Sequence, residues 1–415
     1  MNKKLKIGYI FESVQEDGGN FQTELTTALR LRKTENENIK VKFFTNNKKN
    51  LELLKSYDFK PILIKTKNLN LFVLILNKYI HNKKIINFFN FFFQINRLEK
   101  QLLDEKIDIV HFNGMSSLSL QLKEINFGVS FWDAGHLIFP QFPESRNNYH
   151  SFESREYIYN LLLKKSAYVI TDCLENKKFL IKTYNVHEDK ISIIYSEPAT
   201  ELLNIDKDNN LSREDIYKNF NIKYKEFIFY PAQYWPHKNH IYIMEAISIL
   251  KKKYNRNISV VFTGKNKFGN LNYIKKCAVD LDIVDNITFE NFVDSKSLFY
   301  LYKYSIAIVV PTYMGPTNHL PIEGFFVGTP VIYSDLWSKT EQVEGAVIST
   351  DLNDPNSLSL NIIDLLDNND LSKMMVKRGK EKYIQLLARV NENHKIYQNI
   401  FNAFFVIRKN WDKNE

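Results

Sequence analysis

The stretch SIAIVVPTYMGPTNHLPIEGFFVGTPVIYS at 305–334 decides how this chain folds. It opens on a β-branched apolar run, SIAIVVPT at 305–312, as expected for a strand buried on both faces. A Pro- and Gly-rich loop follows, then a helix beginning near Leu320 and ending before the Gly328-Thr329-Pro330 stop, and then a second apolar run, TPVIYS at 329–334. Strand, helix and strand in 30 residues is one βαβ unit of a parallel sheet. Working outward, the same rhythm recurs in FIFYP at 227–231, ISVVFTG at 258–264 and NITFENF at 286–292. The first half repeats it in LKIGYIF at 5–11, KVKFF at 40–44, PILIK at 61–65, DIVHF at 108–112, GVSFW at 128–132 and AYVIT at 167–171, with helical stretches at 21–32 and 157–165.

At 415 residues the chain exceeds what one core usually serves. The expected architecture is α/β: two Rossmann-like, doubly wound domains facing each other across a cleft. The Asp- and Asn-rich stretch from Asn204 to Glu214 reads as the linker. Boundaries follow at 1–205 for an N-terminal domain and 206–385 for a C-terminal one. Residues 386–415 then read as amphipathic C-terminal helices packing back toward the N-terminal domain.

Composition removes several classes of function. The 44% hydrophobic and 25% charged residues describe a packed globular protein, not a disordered or fibrous one. Cys173 and Cys277 lie far apart, without metal or redox spacing, and read as ordinary thiols in a reducing cytosol. The N-terminus reaches Glu12 before a signal-peptide core could form. The net charge of +9 attracts phosphates of any origin, but no nucleic-acid-binding motif accompanies it, so nucleic acid is not an expected partner. The most apolar and aromatic run, 71–98, is broken by Lys78, Lys83 and Lys84 before it could span a bilayer. Burial against the first sheet and a seat in a membrane interface both fit it.

Four loops at strand C-terminal ends carry candidate chemistry, the edge where doubly wound sheets bind ligands. Gly18 and Gly19 follow the first strand and precede a helix, a place where amides can hold an anion or where glycines merely make a turn. The segment FWDAGHLIFPQFPE at 131–144 brings Asp133, His136 and Glu144 together. There His136 could exchange a proton or bond a sugar hydroxyl, with Asp133 orienting it. In YPAQYWPHKNH at 230–240, Gln233 and Lys238 sit on a strand-to-helix loop, and the lysine suits a diphosphate. In PTYMGPTNHLPIE at 311–323, the amides around His319 and Leu320 suit phosphate and Glu323 suits ribose hydroxyls.

These motifs make the second half resemble the donor domain of retaining family 4 glycosyltransferases, whose two-domain architecture is called GT-B. In that family an Arg and a Lys five apart grip the donor diphosphate; here those places hold Gln233 and Lys238. Two glutamates eight apart precede a GTPVI-like strand; here GTPVI stands at 328–332, Glu323 holds the second place and Gly315 the first. The GPTN sequence at 315–318, with WPHKNH and the FWDAGH segment, resembles a subgroup from surface-polysaccharide clusters. The resemblance implies Thr317 and Asn318 as side-chain donors to the substrate, and Asp133 and His136 in the catalytic place.

It further implies a nucleoside diphosphate sugar as donor, no metal and no other cofactor, and a glycan or lipid-linked glycan as acceptor. The setting would be the cytoplasm, with peripheral contact at the inner membrane face. A GT-B nucleotide-sugar epimerase, or a degenerate subunit that binds nucleotide or glycan without turnover, remains the alternative.

Overall fold

A computed structural model describes residues 4–15, 19–65, 97–146, 152–203, 205, 210–266, 270–291 and 293–410. Asp17, Gly18 and the lysine-punctuated run at 71–96 lie outside them, as do residues 204 and 206–209 of the 204–214 stretch. The chain forms two compact units. One comprises Met1–Trp132, Glu153–Tyr195 and Asn391–Glu415, and the other Asp133–Phe152 and Ser196–Val390. The segment that follows the fifth strand is thus grouped with the second unit, although both its ends join residues of the first.

In the first unit seven strands make one sheet: β1 (Leu5–Phe11), β2 (Ile39–Thr45), β3 (Ile62–Leu63), β4 (Ile109–Phe112), β5 (Asn126–Ser130), β6 (Tyr168–Thr171) and β7 (Ile191–Ile193). Their order is β3-β2-β1-β4-β5-β6-β7, and each pairing is parallel, with Ile7 opposite both Val41 and Ile109. The order reverses direction between β1 and β4, the switch point of a doubly wound sheet. Behind the sheet the last helix, Asn369–Arg408, contributes Tyr397, Phe401 and Phe405 to a core shared with Tyr9, Phe11, Ile109 and Tyr168. A buried histidine on β4, His111, meets the hydroxyls of Tyr168 at 3.1 Å and of Ser130 and Tyr397 at 3.3 Å. Burial pushes its pKa down to about 3, so it serves here as a neutral hydrogen-bonding post.

The second unit repeats the plan with β8 (Phe227–Pro231), β9 (Ser259–Thr263), β10 (Ile287–Glu290), β11 (Ile308–Val310), β12 (Val331–Ser334) and β13 (Ile348–Thr350). The order β10-β9-β8-β11-β12-β13 is again all parallel, and its switch point lies between β8 and β11. The GTPVI motif has a physical reading here. Gly328 takes φ +89°, the left-handed cap that ends helix His319–Val327, and the amides of Gly328 and Thr329 both reach the Gly324 carbonyl at 2.9 and 2.8 Å. A Cβ on Gly324 would lie 2.9 Å from the Val331 side chain, so helix and strand pack at glycine distance.

The switch point of the first sheet carries an unusual carboxylate pair. Glu24, on helix Gly19–Arg32, accepts from the amides of Glu12 and Ser13 at 3.1 and 3.0 Å and from the Ser13 hydroxyl at 3.0 Å. Glu12 accepts from the Ser116 hydroxyl at 2.8 Å. Burial raises Glu12 to about 7, and burial together with the charge of Glu12 raises Glu24 to about 8. Folded protein therefore holds protons that the unfolded chain releases above pH 4.5 or so, and stability from this pair is lost as pH rises toward 8. In Glu24→Gln the loss of stability between pH 5 and 8, read from urea denaturation midpoints, is expected to shrink. An unchanged pH slope would contradict the assignment.

Candidate functional site

At the switch point of the second sheet, the loops leaving β8 and β11 are bonded to each other. The His237 carbonyl accepts from the Tyr313 amide at 3.0 Å and from the Thr312 hydroxyl at 3.4 Å. Buried Tyr230 donates its hydroxyl to the neighbouring Lys238 carbonyl at 2.9 Å. A single helical turn, Pro236–Lys238, then hands the chain to helix His240–Tyr254 through Asn239, which takes the left-handed conformation at φ +58°. His240 packs its ring between Tyr230, Tyr234 and Phe262, with centroids 5.0–5.1 Å apart, and burial pushes it down to about 3. The loop that carries Lys238 is therefore fixed from below by aromatic packing and from the side by β11.

Lys238 is half-buried. The surrounding protein pushes its ammonium pKa down to about 8, while the carboxylates of Asp133 and Glu144 pull it back up. Both carboxylates come from the segment 133–146, which this unit holds against the two loops. Gly135 sits where a Cβ would lie 2.8 Å from the Met314 sulfur, and Phe139 and Phe142 pack edge-on and tilted against Tyr313 at centroid distances of 5.7 and 5.3 Å. Glu144 accepts from the His237 amide at 3.0 Å and from the His237 ring Nδ1 in a very short contact. Burial opposes the charge on Glu144, but the His237 ring proton and the nearby amides outweigh it and hold the carboxyl below its ordinary value. Burial also lowers His237 against the pull of Glu144. A neutral ring giving its Nδ1 proton to an ionised carboxylate satisfies both shifts.

The residues expected from sequence fall into place unequally. Lys238, Thr317, Asn318, His319, Leu320 and Glu323, with Gln233, all lie on the two switch-point loops or the helix that follows. The Gln233 side-chain carbonyl accepts from the Trp235 indole at 2.6 Å, which commits it to shaping its own loop. Asn318 precedes helix His319–Val327 without capping it. Its side-chain amide donates to the Tyr333 hydroxyl at 3.0 Å and to the Gly315 carbonyl at 3.4 Å, and its backbone amide to Gln342 at 3.0 Å. The first-turn amides thus keep the positive end of the helix dipole without a side-chain cap of their own.

His319 bonds the Glu197 carbonyl at 3.1 Å through its ring. Glu323 is buried, and it accepts from the Tyr302 hydroxyl at 2.6 Å and the Ala199 amide at 3.4 Å.

Asp133 caps its own turn, accepting from the Gly135 amide at 2.7 Å. His136 is fully buried with its ring 5.7 Å from Phe152, a packed position where the sequence suggested an open loop histidine. Gly19 opens a helix of the first unit, and a Cβ there would meet nothing within 4 Å. Among the described residues no group of three or more His, Cys, Asp or Glu could hold a metal ion, and no helix is long and apolar enough to cross a membrane. The Glu144–His237 pair escaped sequence reading as a pair because 92 residues separate its members and neither stands in a pattern pointing to the other.

Gly264 sets how closely the end of β9 approaches this loop. A Cβ there would lie 2.4 Å from the Ala232 carbonyl oxygen and 2.8 Å from the Gln233 Cα, both backbone atoms that cannot swing away. Gly264→Ala is expected to cost about 1–3 kcal/mol, read as a lower denaturation midpoint. Wild-type stability in that variant would contradict the close packing.

Residues 212–382 match the model of the family described as Glycosyl transferases group 1. The O-antigen chain mannosyltransferase RfbU of Salmonella typhimurium is 28% identical over 181 residues, 43% of this chain and 45% of that protein. The chain thus matches less than half the length of this curated relative. Among solved structures, a glycosyltransferase from Rickettsia africae superposes with a TM-score of 0.70 at 18% identity, covering 96% of this chain and 99% of that one. Anabaena HepE in complex with UDP does so with 0.68 at 13% identity, covering 96% and 100%. At identities this low these superpositions show a shared fold alone.

Proposed function

We propose that this chain, whose residues 212–382 form a Glycosyl transferases group 1 domain, moves a hexose-type sugar from a nucleoside diphosphate sugar to a glycan or lipid-linked glycan acceptor, in the assembly of a bacterial surface polysaccharide. The observation that carries the reading is the bonded pair of switch-point loops. It sets a lysine and an uncapped helix N-terminus on one edge of a parallel sheet, a combination suited to a diphosphate. The surface-polysaccharide setting is supported by the O-antigen mannosyltransferase RfbU as a relative, and the donor class by HepE, solved with UDP on the same fold.

The proposed chemistry needs no covalent protein nucleophile and no metal. The bond between the sugar's anomeric carbon and the leaving phosphate oxygen breaks, and the acceptor hydroxyl bonds to the same face, so configuration is retained. The acceptor's proton passes to the departing diphosphate. Lys238 and the first-turn amides of helix His319–Val327 take up the negative charge that develops there. Glu323 accepts from the ribose hydroxyls, in place of its bond to the Ala199 amide. Thr317 and Asn318 line the loop beside the phosphates, and Asp133 and His136 shape the sugar end from the segment this unit holds. A lipid-linked acceptor would bring the protein to the inner membrane face.

The test is turnover. Purified protein incubated with nucleotide sugars and polysaccharide precursors is expected to give a glycoside whose anomeric proton coupling matches the donor's. Product without acceptor would indicate an epimerase, and inverted configuration would refute the front-face route. Lys238→Ala is expected to weaken nucleotide binding about 10- to 100-fold, the worth of a charge-assisted hydrogen bond, measured by calorimetry near pH 7. An unchanged affinity would remove the lysine from the site.

A further inference from the structure

The inserted segment does more than cover the β8 loop. Glu144 Oε1 engages both the amide and the ring of His237, the residue next to Lys238, and its side chain is only 6% exposed. The carbonyl of that same His237 is the acceptor that ties the β11 loop in place. One carboxylate thus holds the turn through the amide and the ring of His237, while the carbonyl of the same residue anchors the neighbouring loop. A carboxylate this buried is retained at a cost in hydration, which the two His237 bonds to Oε1 offset in part, since Oε2 has no hydrogen-bond partner among the described residues. Packing alone would be served by an apolar side chain beside Phe139 and Phe142.

We infer that Glu144 is a positioning residue: through His237 it fixes the turn that presents Lys238 to a diphosphate, and with Asp133 it supplies the negative charge around that lysine. The inference rests on the donor-site reading above and adds a residue and a role to it. The titratable groups around Lys238 are Asp133 and Glu144 from the inserted segment, and His237 and His240 from its own loop and the helix after it. Tyr313, from the β11 loop, is kept protonated by burial and by the acids Asp335 and Glu245. Both histidines are neutral, so Asp133 and Glu144 are the anions that favour the charged lysine.

With Lys238 at about 8, nucleotide affinity should fall as pH rises through that value. In Glu144→Gln the fall should begin at a lower pH, because one of the two anions favouring the ammonium is gone, and Glu144→Asp should restore part of it. A residue that only held structure would weaken binding equally at every pH and leave the midpoint in place.

The same midpoint is read without any nucleotide, from the pH dependence of Lys238 acylation by an amine-selective reagent, located by peptide mass spectrometry. A midpoint lowered in Glu144→Gln in the acylation titration supports the inference, and an unmoved midpoint there overturns it, whichever way nucleotide binding behaves. Absent nucleotide binding by wild-type protein together with a lowered acylation midpoint would fault the donor-site reading alone. Should Glu144→Gln fail to fold, His237→Asn, which removes the ring contact but leaves the carboxylate nearby, is the second variant. Its acylation midpoint should move less than the midpoint of Asp133→Asn, and a larger move would overturn the assignment of the charge to Glu144.

Discussion

One backbone carbonyl, that of His237, governs the candidate site. By accepting from Tyr313 and Thr312 it joins the two loops that leave the sheet at its switch point, and every other feature is arranged around that join. Tyr230 supports it from the core, Glu144 grips the same residue from the inserted segment, and Trp337 holds the far side of Tyr313 by bonding its carbonyl at 3.0 Å. Parallel sheets leave a crevice wherever strand order reverses. What this sequence adds is a set of side chains that make the crevice walls rigid before any ligand arrives, which lowers the ordering cost of binding.

The two positions at which the sequence differs from the pattern it resembles, Gly315 and Gln233, are both held within their loops. Gly315 adopts φ +88°, a conformation that favours glycine over a residue with a side chain such as glutamate. A glutamate placed at position 315 would strain the turn. Gln233, in the place of the family's arginine, is bonded to Trp235 within its own loop. Both residues thus serve the shape of their own loops, and Lys238 is the cation of the β8 loop.

Much of the fold could be read from residue order because buried parallel strands are written as continuous β-branched and aromatic runs, and eleven of the described strands coincide with such runs. Two three-residue edge strands, β7 (ISI) and β13 (IST), were too short to stand out from the loops around them. The lysine, the helix start and Glu323 were legible because each sits at a fixed offset from a strand end. The allegiance of residues 133–152 to the second unit was not, since it depends on contacts of Phe139, Phe142 and Glu144 with residues about 90 to 175 positions away. Nor could sequence show that His136 would be buried or that Glu12 and Glu24 would share a site, because burial is a property of the assembled fold.

The most direct test of the account is amide hydrogen exchange of the purified protein with and without saturating nucleoside diphosphates. Protection concentrated in residues 233–239 and 315–323, and lost in Lys238→Ala, is the predicted result. Ligand-dependent protection that leaves both segments unchanged would contradict the claim that the switch point of the second sheet is the donor site.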